Sequence, residues 1–135
     1  MKSLQQAVPP ISILIAEDEE LVRKLLGSAI PFRFPDIAIH FAENGRIGVK
    51  LFIEHTPDIV ITDINMPEMD GFQMAGKIKS IKADTKIIVI TANCDTGYRN
   101  KFSEIGYDDY LLKPLEFGKL FAAIDRCIAV IALER

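Results

Sequence analysis

The sequence predicts an α/β fold, a doubly wound parallel sheet with helices on both faces. Three observations carry that prediction. Short apolar runs of strand type alternate with amphipathic segments of helical spacing, the pattern of repeated βαβ units. Two of those runs, Ile11–Ala16 and Ile87–Ile90, are apolar almost throughout, as strands covered on both faces are. Chemically active side chains stand directly after several of the runs, where open α/β sheets place their sites. Right-handed crossovers then favour double winding over other connections.

Strands are expected at 11–16, 36–42, 58–62, 86–91 and 109–112, and helices at 19–30, 45–55, 70–80, 96–105 and 115–133. Residues 1–10, ending in Pro9-Pro10, read as a loose N-terminal tail, and 11–133 as the folded domain. The first strand runs into Glu17-Asp18. Pro35 precedes the second strand, Asn44-Gly45 breaks the chain before the second helix, and Pro57 follows it. The third strand ends on Asp63, and a loop containing Pro67 and Gly71 follows at once. Asp84 separates the third helix from the fourth strand, which ends on Thr91. Asp95-Thr96 offers a cap for the fourth helix, although Gly97 weakens its first turn. The short run Tyr110–Leu112 leads into Lys113-Pro114. In the last helix Phe117, Phe121, Ile124, Ile128 and Ile131 form one apolar stripe, while Val130 and Leu133 project away from it. Such residues are commonly scattered surface apolars; the sharper expectation is a partner or dimer surface, or packing against a continuation of the chain.

Composition narrows the function. The chain has 135 residues, the length of one domain, and 49% hydrophobic residues, enough for a sizeable core. A formal net charge of −3 leaves no basic footprint for nucleic acid. No apolar run approaches the ~18 residues of a membrane span, and the first residues lack an apolar signal core. The expected compartment is the cytoplasm, with Cys94 and Cys127 as free thiols. No Cys/His cluster has zinc spacing, and His40 and His55 read as structural residues.

Three acids, a hydroxyl and an amine therefore gather at strand ends: Glu17, Asp18, Asp63, Thr91 and Lys113. Taken singly, each is an ordinary turn, cap or solvated residue. Together they sit at carboxyl ends of expected strands. Converging carboxylates repel one another and call for a cation, and hard oxygen ligands suit Mg²⁺. Mg²⁺ takes one or two carboxylates plus phosphate oxygens, which leaves Asp63 able to act as ligand and as nucleophile. A carboxylate that attacks a phosphoryl donor becomes an aspartyl phosphate. A metal and a lysine supply the charge neutralisation that the transferring group needs.

These residues resemble the receiver domain of two-component response regulators over about residues 11–133. The motifs that carry the likeness are Ile-Leu-Ile-Ala-Glu17-Asp18-Glu, Asp63-Ile-Asn-Met-Pro-Glu-Met-Asp-Gly71, Ile-Thr91-Ala and Asp108-Asp-Tyr-Leu-Leu-Lys113-Pro. The resemblance implies a five-stranded parallel sheet of order 2-1-3-4-5 with five flanking helices, a flavodoxin-like fold. It implies that Asp63 is the phosphoacceptor, that Asp18, Glu17 and the backbone carbonyl of Asn65 join Asp63 around Mg²⁺, and that Lys113 pairs with a phosphoryl oxygen. Thr91 and Tyr110 would form the switch, with small Ala92 leaving the site open. A cis Lys113-Pro114 bond is expected. A histidine kinase or histidine phosphotransfer protein would be the donor. The output face would be the fourth helix, fifth strand and fifth helix, for a downstream protein or a second copy, with neither nucleic acid nor membrane as a direct contact of this domain.

Departures from the family pattern are small. Glu17 stands where Asp is commoner, and Tyr107 where Ala is usual. Asn65 and Asn93 occupy positions that tune phosphoryl loss in the family. The chain is expected to be a phosphoacceptor rather than an enzyme and to hold no output domain. A flavin module on the same fold conflicts with Glu17-Asp18-Glu19, which would repel a phosphate. A phosphatase with an Asp nucleophile would want an acid at Asn65. The remaining alternative is a phosphorylation-independent scaffold, against which the full set of site residues speaks.

Overall fold

A computed structural model describes residues 10–92 and 96–135 of the chain. Among these lie β1 (Ser12–Ala16), β2 (Ala38–Ala42), β3 (Ile59–Thr62), β4 (Lys86–Thr91) and β5 (Asp109–Leu112), interleaved with α1 (Glu20–Arg33), α2 (Gly45–His55), α3 (Gly71–Ile81), α4 (Thr96–Ile105) and α5 (Phe117–Glu134). The strands form one parallel sheet of order β2-β1-β3-β4-β5, the order the resemblance implied. Residues 1–9 of the N-terminal tail, Asn93, Cys94 and the Asp95 cap lie outside the described residues.

The three central strands explain the sheet. Every residue of β3 and β4 is buried, and so is β1 after Ser12. Their alternate side chains enter two cores. Ile13, Ile15, Ile61 and Ile90 face α1 and α5, where Leu26, Ile30, Leu120, Ile124 and Ile131 meet them. Leu14, Val60, Ile87 and Val89 face the other helices, where Phe52, Met74, Ile78 and Phe102 close over them. The edge strand β2 is more open, and only Ala42 in it is buried.

Local chemistry sets the helix ends. The Oδ1 of Asn44 caps α2 by accepting from the Ile47 amide at 2.8 Å, and Thr56 ends it in the left-handed region at φ 42°. Asp70 and Gln73 form a reciprocal capping box at the start of α3. Gly106, at φ 100°, turns the chain after α4. The largest boundary difference is at α1, which continues three residues past the expected end at residue 30. Pro31 sits inside its last turn, and the helix closes with the Phe34 amide bonded to the Ile30 carbonyl at 2.7 Å. The proline removes one donor there, and Ile30 and Phe34 are buried on either side of it. In α5 the buried face is rotated from the expected stripe: Leu120, Ala123, Ile124, Cys127 and Ile131 are buried, Phe121 and Ile128 only partly so, and Phe117 is exposed, while Val130 and Leu133 are exposed as expected. Cys127 is a free, buried thiol. His40 and His55 stack with ring centroids 4.0 Å apart, a contact between β2 and the end of α2.

Candidate functional site

The sheet register assembles the site. Ala16 pairs with Thr62, so the residues that follow, Glu17 and Asp63, emerge side by side at the carboxyl edge. Their main chains are fixed by the same ladder: the Asp63 amide donates to the Ala16 carbonyl at 3.1 Å and the Glu17 amide to the Ala42 carbonyl at 2.9 Å. On the other flank Thr91 pairs with Leu112, and the Lys113 amide donates to the Thr91 carbonyl at 2.9 Å. That last bond carries the Lys113 side chain back toward the acids. The Lys113-Pro114 peptide is cis, as expected.

Lys113 Nζ donates to Glu17 Oε1 at 2.8 Å and to Asp63 Oδ2 at 2.8 Å. Glu19 Oε1 lies 3.6 Å from the same ammonium. The other Asp63 oxygen, Oδ1, accepts from the Ile64 amide at 2.6 Å, and Glu17 Oε2 accepts from the Glu19 amide at 3.1 Å. Both carboxyls are thus oriented by backbone donors and joined by one cation. Burial pushes the Glu17 carboxyl above the usual carboxylate range, against the hydrogen bonds from Lys113 and the Glu19 amide; the Asp63 charge pushes in the same direction as burial. Burial lowers the affinity of Lys113 for its proton, but its bonds to Asp63 and Glu17 outweigh this and hold it above the ordinary lysine value. The amine is therefore a fixed positive charge at neutral pH.

Glu17, Asp18 and Asp63 each bring a carboxylate oxygen within 4.8 Å of the others, the one such group among the described residues. Glu17 and Asp63 are buried, while Asp18 stands at the mouth. Three hard oxygen donors with one open side fit a divalent cation that keeps part of its water shell. Thr91 is buried at the end of β4. Tyr110 lies on β5 with a half-buried ring whose phenolic oxygen is shielded from solvent. That ring packs edge-on to Tyr107 and Phe102, and the Arg99 guanidinium lies 5.0 Å from its centroid. Asn65 is exposed in the loop after Asp63, and Ala92 is exposed beyond Thr91.

The chain matches the response regulator receiver domain over residues 13–125. It belongs to that family. Receivers are chiefly phosphoacceptors in two-component phosphorelays, and this chain is a phosphorelay signalling domain. Regulatory protein AtoC of Escherichia coli is 32% identical over 123 residues, 91% of this chain and 26% of that protein. Response regulator MprA of Mycolicibacterium vanbaalenii is 32% identical over 113 residues, 84% of this chain and 48% of that one. The chain thus spans between about a quarter and about half of these curated relatives. Among solved structures, the N-terminal domain of an uncharacterized protein from Wolinella succinogenes superimposes with a TM-score of 0.86 at 34% identity, covering 93% of this chain and 99% of that one. A CheY-like receiver from Methanospirillum hungatei, at 19% identity, shares the fold with a TM-score of 0.87 over 94% of this receiver and 100% of its own chain. No helix among the described residues is long and apolar enough to cross a membrane.

Several supports of the site were not read from the sequence. Arg23 on α1 donates to the Glu17 carbonyl at 2.7 Å. Thr62 Oγ1 donates to the Asp63 carbonyl at 2.7 Å. A Cβ on Gly71 would stand 1.9 Å from the Asp63 carbonyl oxygen, so only glycine fits there. Leu21, Leu25 and Phe32 form an exposed apolar stripe on α1, at 70%, 50% and 93% exposure. Their i, i+4, i+11 spacing was the available signal.

Proposed function

We propose that Asp63 accepts a phosphoryl group from a phosphohistidine of a histidine kinase or a histidine phosphotransfer protein, in the cytoplasm and with Mg²⁺ bound. One observation carries the proposal: Lys113 Nζ lies 2.8 Å from both Asp63 and Glu17, beside the open side of the acidic cluster. In the transfer, an Asp63 oxygen bonds to phosphorus as the phosphorus–nitrogen bond of the donor imidazole breaks. The bonding pair stays on that nitrogen. Glu17, Asp18, Asp63 and the Asn65 carbonyl would hold the cation. When bound, it neutralises charge on the equatorial phosphoryl oxygens. Lys113 stabilises the same charge from the other side, and the Ile64 amide keeps the acceptor carboxyl from rotating.

Thr91 and Tyr110 form the proposed switch. The new charge draws Lys113 and the Thr91 hydroxyl toward Asp63 and shifts the balance between two arrangements of the Tyr110 ring. The surface altered is that of α4, β5 and α5, where a downstream protein or a second copy would dock. The test is intact-mass measurement after incubation with acetyl phosphate, with and without Mg²⁺. A single Mg²⁺-dependent phosphoryl adduct is expected, and Asp63→Asn should abolish it. Persistent labelling of Asp63→Asn at the native rate would remove Asp63 from this role.

A further inference from the structure

Two residues other than glycine have positive φ among the described residues, Thr56 and Glu68. Thr56 ends α2, where a left-handed residue is ordinary. Glu68, at φ 68°, ends no helix; it lies in the loop between Asp63 and α3. A long side chain in that conformation is uncommon, and glycine or asparagine would enter it more readily. The Glu68 carboxylate is engaged at both oxygens. Oε2 accepts from Asn44 Nδ2 at 2.9 Å, and Oε1 from Arg46 Nε at 3.1 Å.

Asn44 is the informative partner. It is buried at 3% exposure, and its two polar atoms serve different elements. Oδ1 caps α2 while Nδ2 holds Glu68. One residue further on, the Gly45 amide donates to the Met69 carbonyl at 3.0 Å, and a Cβ at Gly45 would stand 2.4 Å from that oxygen. The start of α2 and residues 68–69 are therefore fastened by three hydrogen bonds. The far end of the loop is closed by the Gly71 amide donating to the Ile64 carbonyl at 2.8 Å. An exposed ion pair such as Arg46–Glu68, with side chains 68% and 52% exposed, adds little to stability. The bond from buried Asn44 offsets part of the cost of the left-handed backbone, and the loop that the strained residue holds is the one that follows Asp63, which points to a demand on loop position.

We propose that Glu68 is a positioning residue: by bridging Asn44 and Arg46 it fixes the loop from Ile64 to Asp70, and so sets how tightly the Glu17, Asp18 and Asp63 cluster takes a divalent cation. The inference rests on the cation reading above. Asn65 lies in that loop, three residues before Glu68, so loop position governs any carbonyl it offers. Glu68→Ala removes the bridge and keeps the unfavourable φ. Glu68→Gly removes the bridge and relieves the φ. Glu68→Gln keeps one acceptor oxygen for one of the two donors.

The experiment is isothermal titration of the native chain and the three variants with Mg²⁺ alone, alongside urea unfolding of each. Native binding is expected to weaken about tenfold or more in Glu68→Ala, in the range for residues that support a metal site from outside. Glu68→Gly should lose as much affinity while unfolding less readily than Glu68→Ala, and Glu68→Gln should fall between native and Glu68→Ala. Stability and affinity then part company, which a merely structural residue would not produce. Native affinity in Glu68→Ala overturns the inference, as does its recovery in Glu68→Gly. A native chain that takes up no Mg²⁺ overturns the cation reading itself and this inference with it, a result distinct from unchanged variants of a binding chain.

Discussion

Replacing Gly71 by alanine tests how the loop after Asp63 is built. The added Cβ would lie 1.9 Å from the Asp63 carbonyl oxygen, 1.1 Å inside the 3.0 Å floor of real Cβ contacts, and 2.9 Å from both the Asp63 carbonyl carbon and Thr62 Oγ1. The obstructing atoms are chiefly backbone, so no rotamer change relieves the clash. Either α3 or the Asp63 main chain must retreat by about that distance. Overpacking of this kind costs about 1–3 kcal/mol. The reduced freedom of the unfolded chain returns less than about 1 kcal/mol. A net loss of about 1–2 kcal/mol is expected in urea unfolding. The Asp63 carboxylate rides on the displaced segment, and a misplacement near 1 Å lowers a positioned reaction about 100-fold. Phosphorylation by acetyl phosphate, followed by intact mass, should slow accordingly. Gly118→Ala is the control: a Cβ there meets nothing within 4 Å, so that variant should gain up to about 1 kcal/mol and phosphorylate normally. Native stability and native rate in Gly71→Ala would refute the close-approach argument.

Lys113→Met leaves Glu17 and Asp63 adjacent with no counter-charge; a loss of about 3 kcal/mol is expected in urea at neutral pH without divalent cation, the low end for a broken buried pair because 16% of the Lys113 side chain is open to solvent. An unchanged unfolding midpoint would show that the pairing contributes nothing. His40 is held below the ordinary histidine value by burial and by the neighbouring His55. The unfolded chain therefore binds the proton more readily than the native one, and this contribution to stability falls as pH drops below about 6.5. Thermal unfolding of His40→Asn should depend less on pH across that window than the native chain, and an equal or steeper dependence would contradict the assignment. The Cys127 thiol is pushed up to about 12 by burial and by the charges of Asp108 and Asp109. In a Cys94→Ser background it should resist a disulfide reagent at pH 8 until the chain is unfolded, and immediate reaction would place it at the surface.

The parts legible in the sequence are those that local pattern encodes. β1, β3 and β4 are buried on both faces, and uninterrupted apolar runs announce such strands directly. The placement of the candidate site residues was legible because their positions follow from strand ends, which the same runs mark. The end of α1 was not. A proline argues against a helix continuing through it, yet the helix runs to Arg33, with Ile30 and Phe34 packed in the core beside that turn. The Glu68 bridge spans 24 residues to Asn44 and depends on a backbone angle that the residue type argues against. Nor does spacing reveal the His40–His55 stack, because it joins an edge strand to a helix end through the fold alone.

Charge explains why these parts belong together. Glu17, Asp18 and Asp63 carry three negative charges against the single positive charge of Lys113, a balance of −2 for these four groups before the exposed Glu19 carboxylate, 3.6 Å from the ammonium, is added. A divalent cation would offset that excess. Phosphoryl transfer in the proposed mechanism exchanges one carboxylate charge for about −1.5 to −2. The ammonium that now divides its bonds between Glu17 and Asp63 then has reason to favour one side. The Lys113 ammonium rides on a flexible side chain, while its amide is bonded to the Thr91 carbonyl and Tyr110 lies three residues before it, in β5. Under the proposed mechanism, a change of charge at Asp63 would be felt first at Lys113, whose amide ties the chain after β5 to the end of β4, where Thr91 stands.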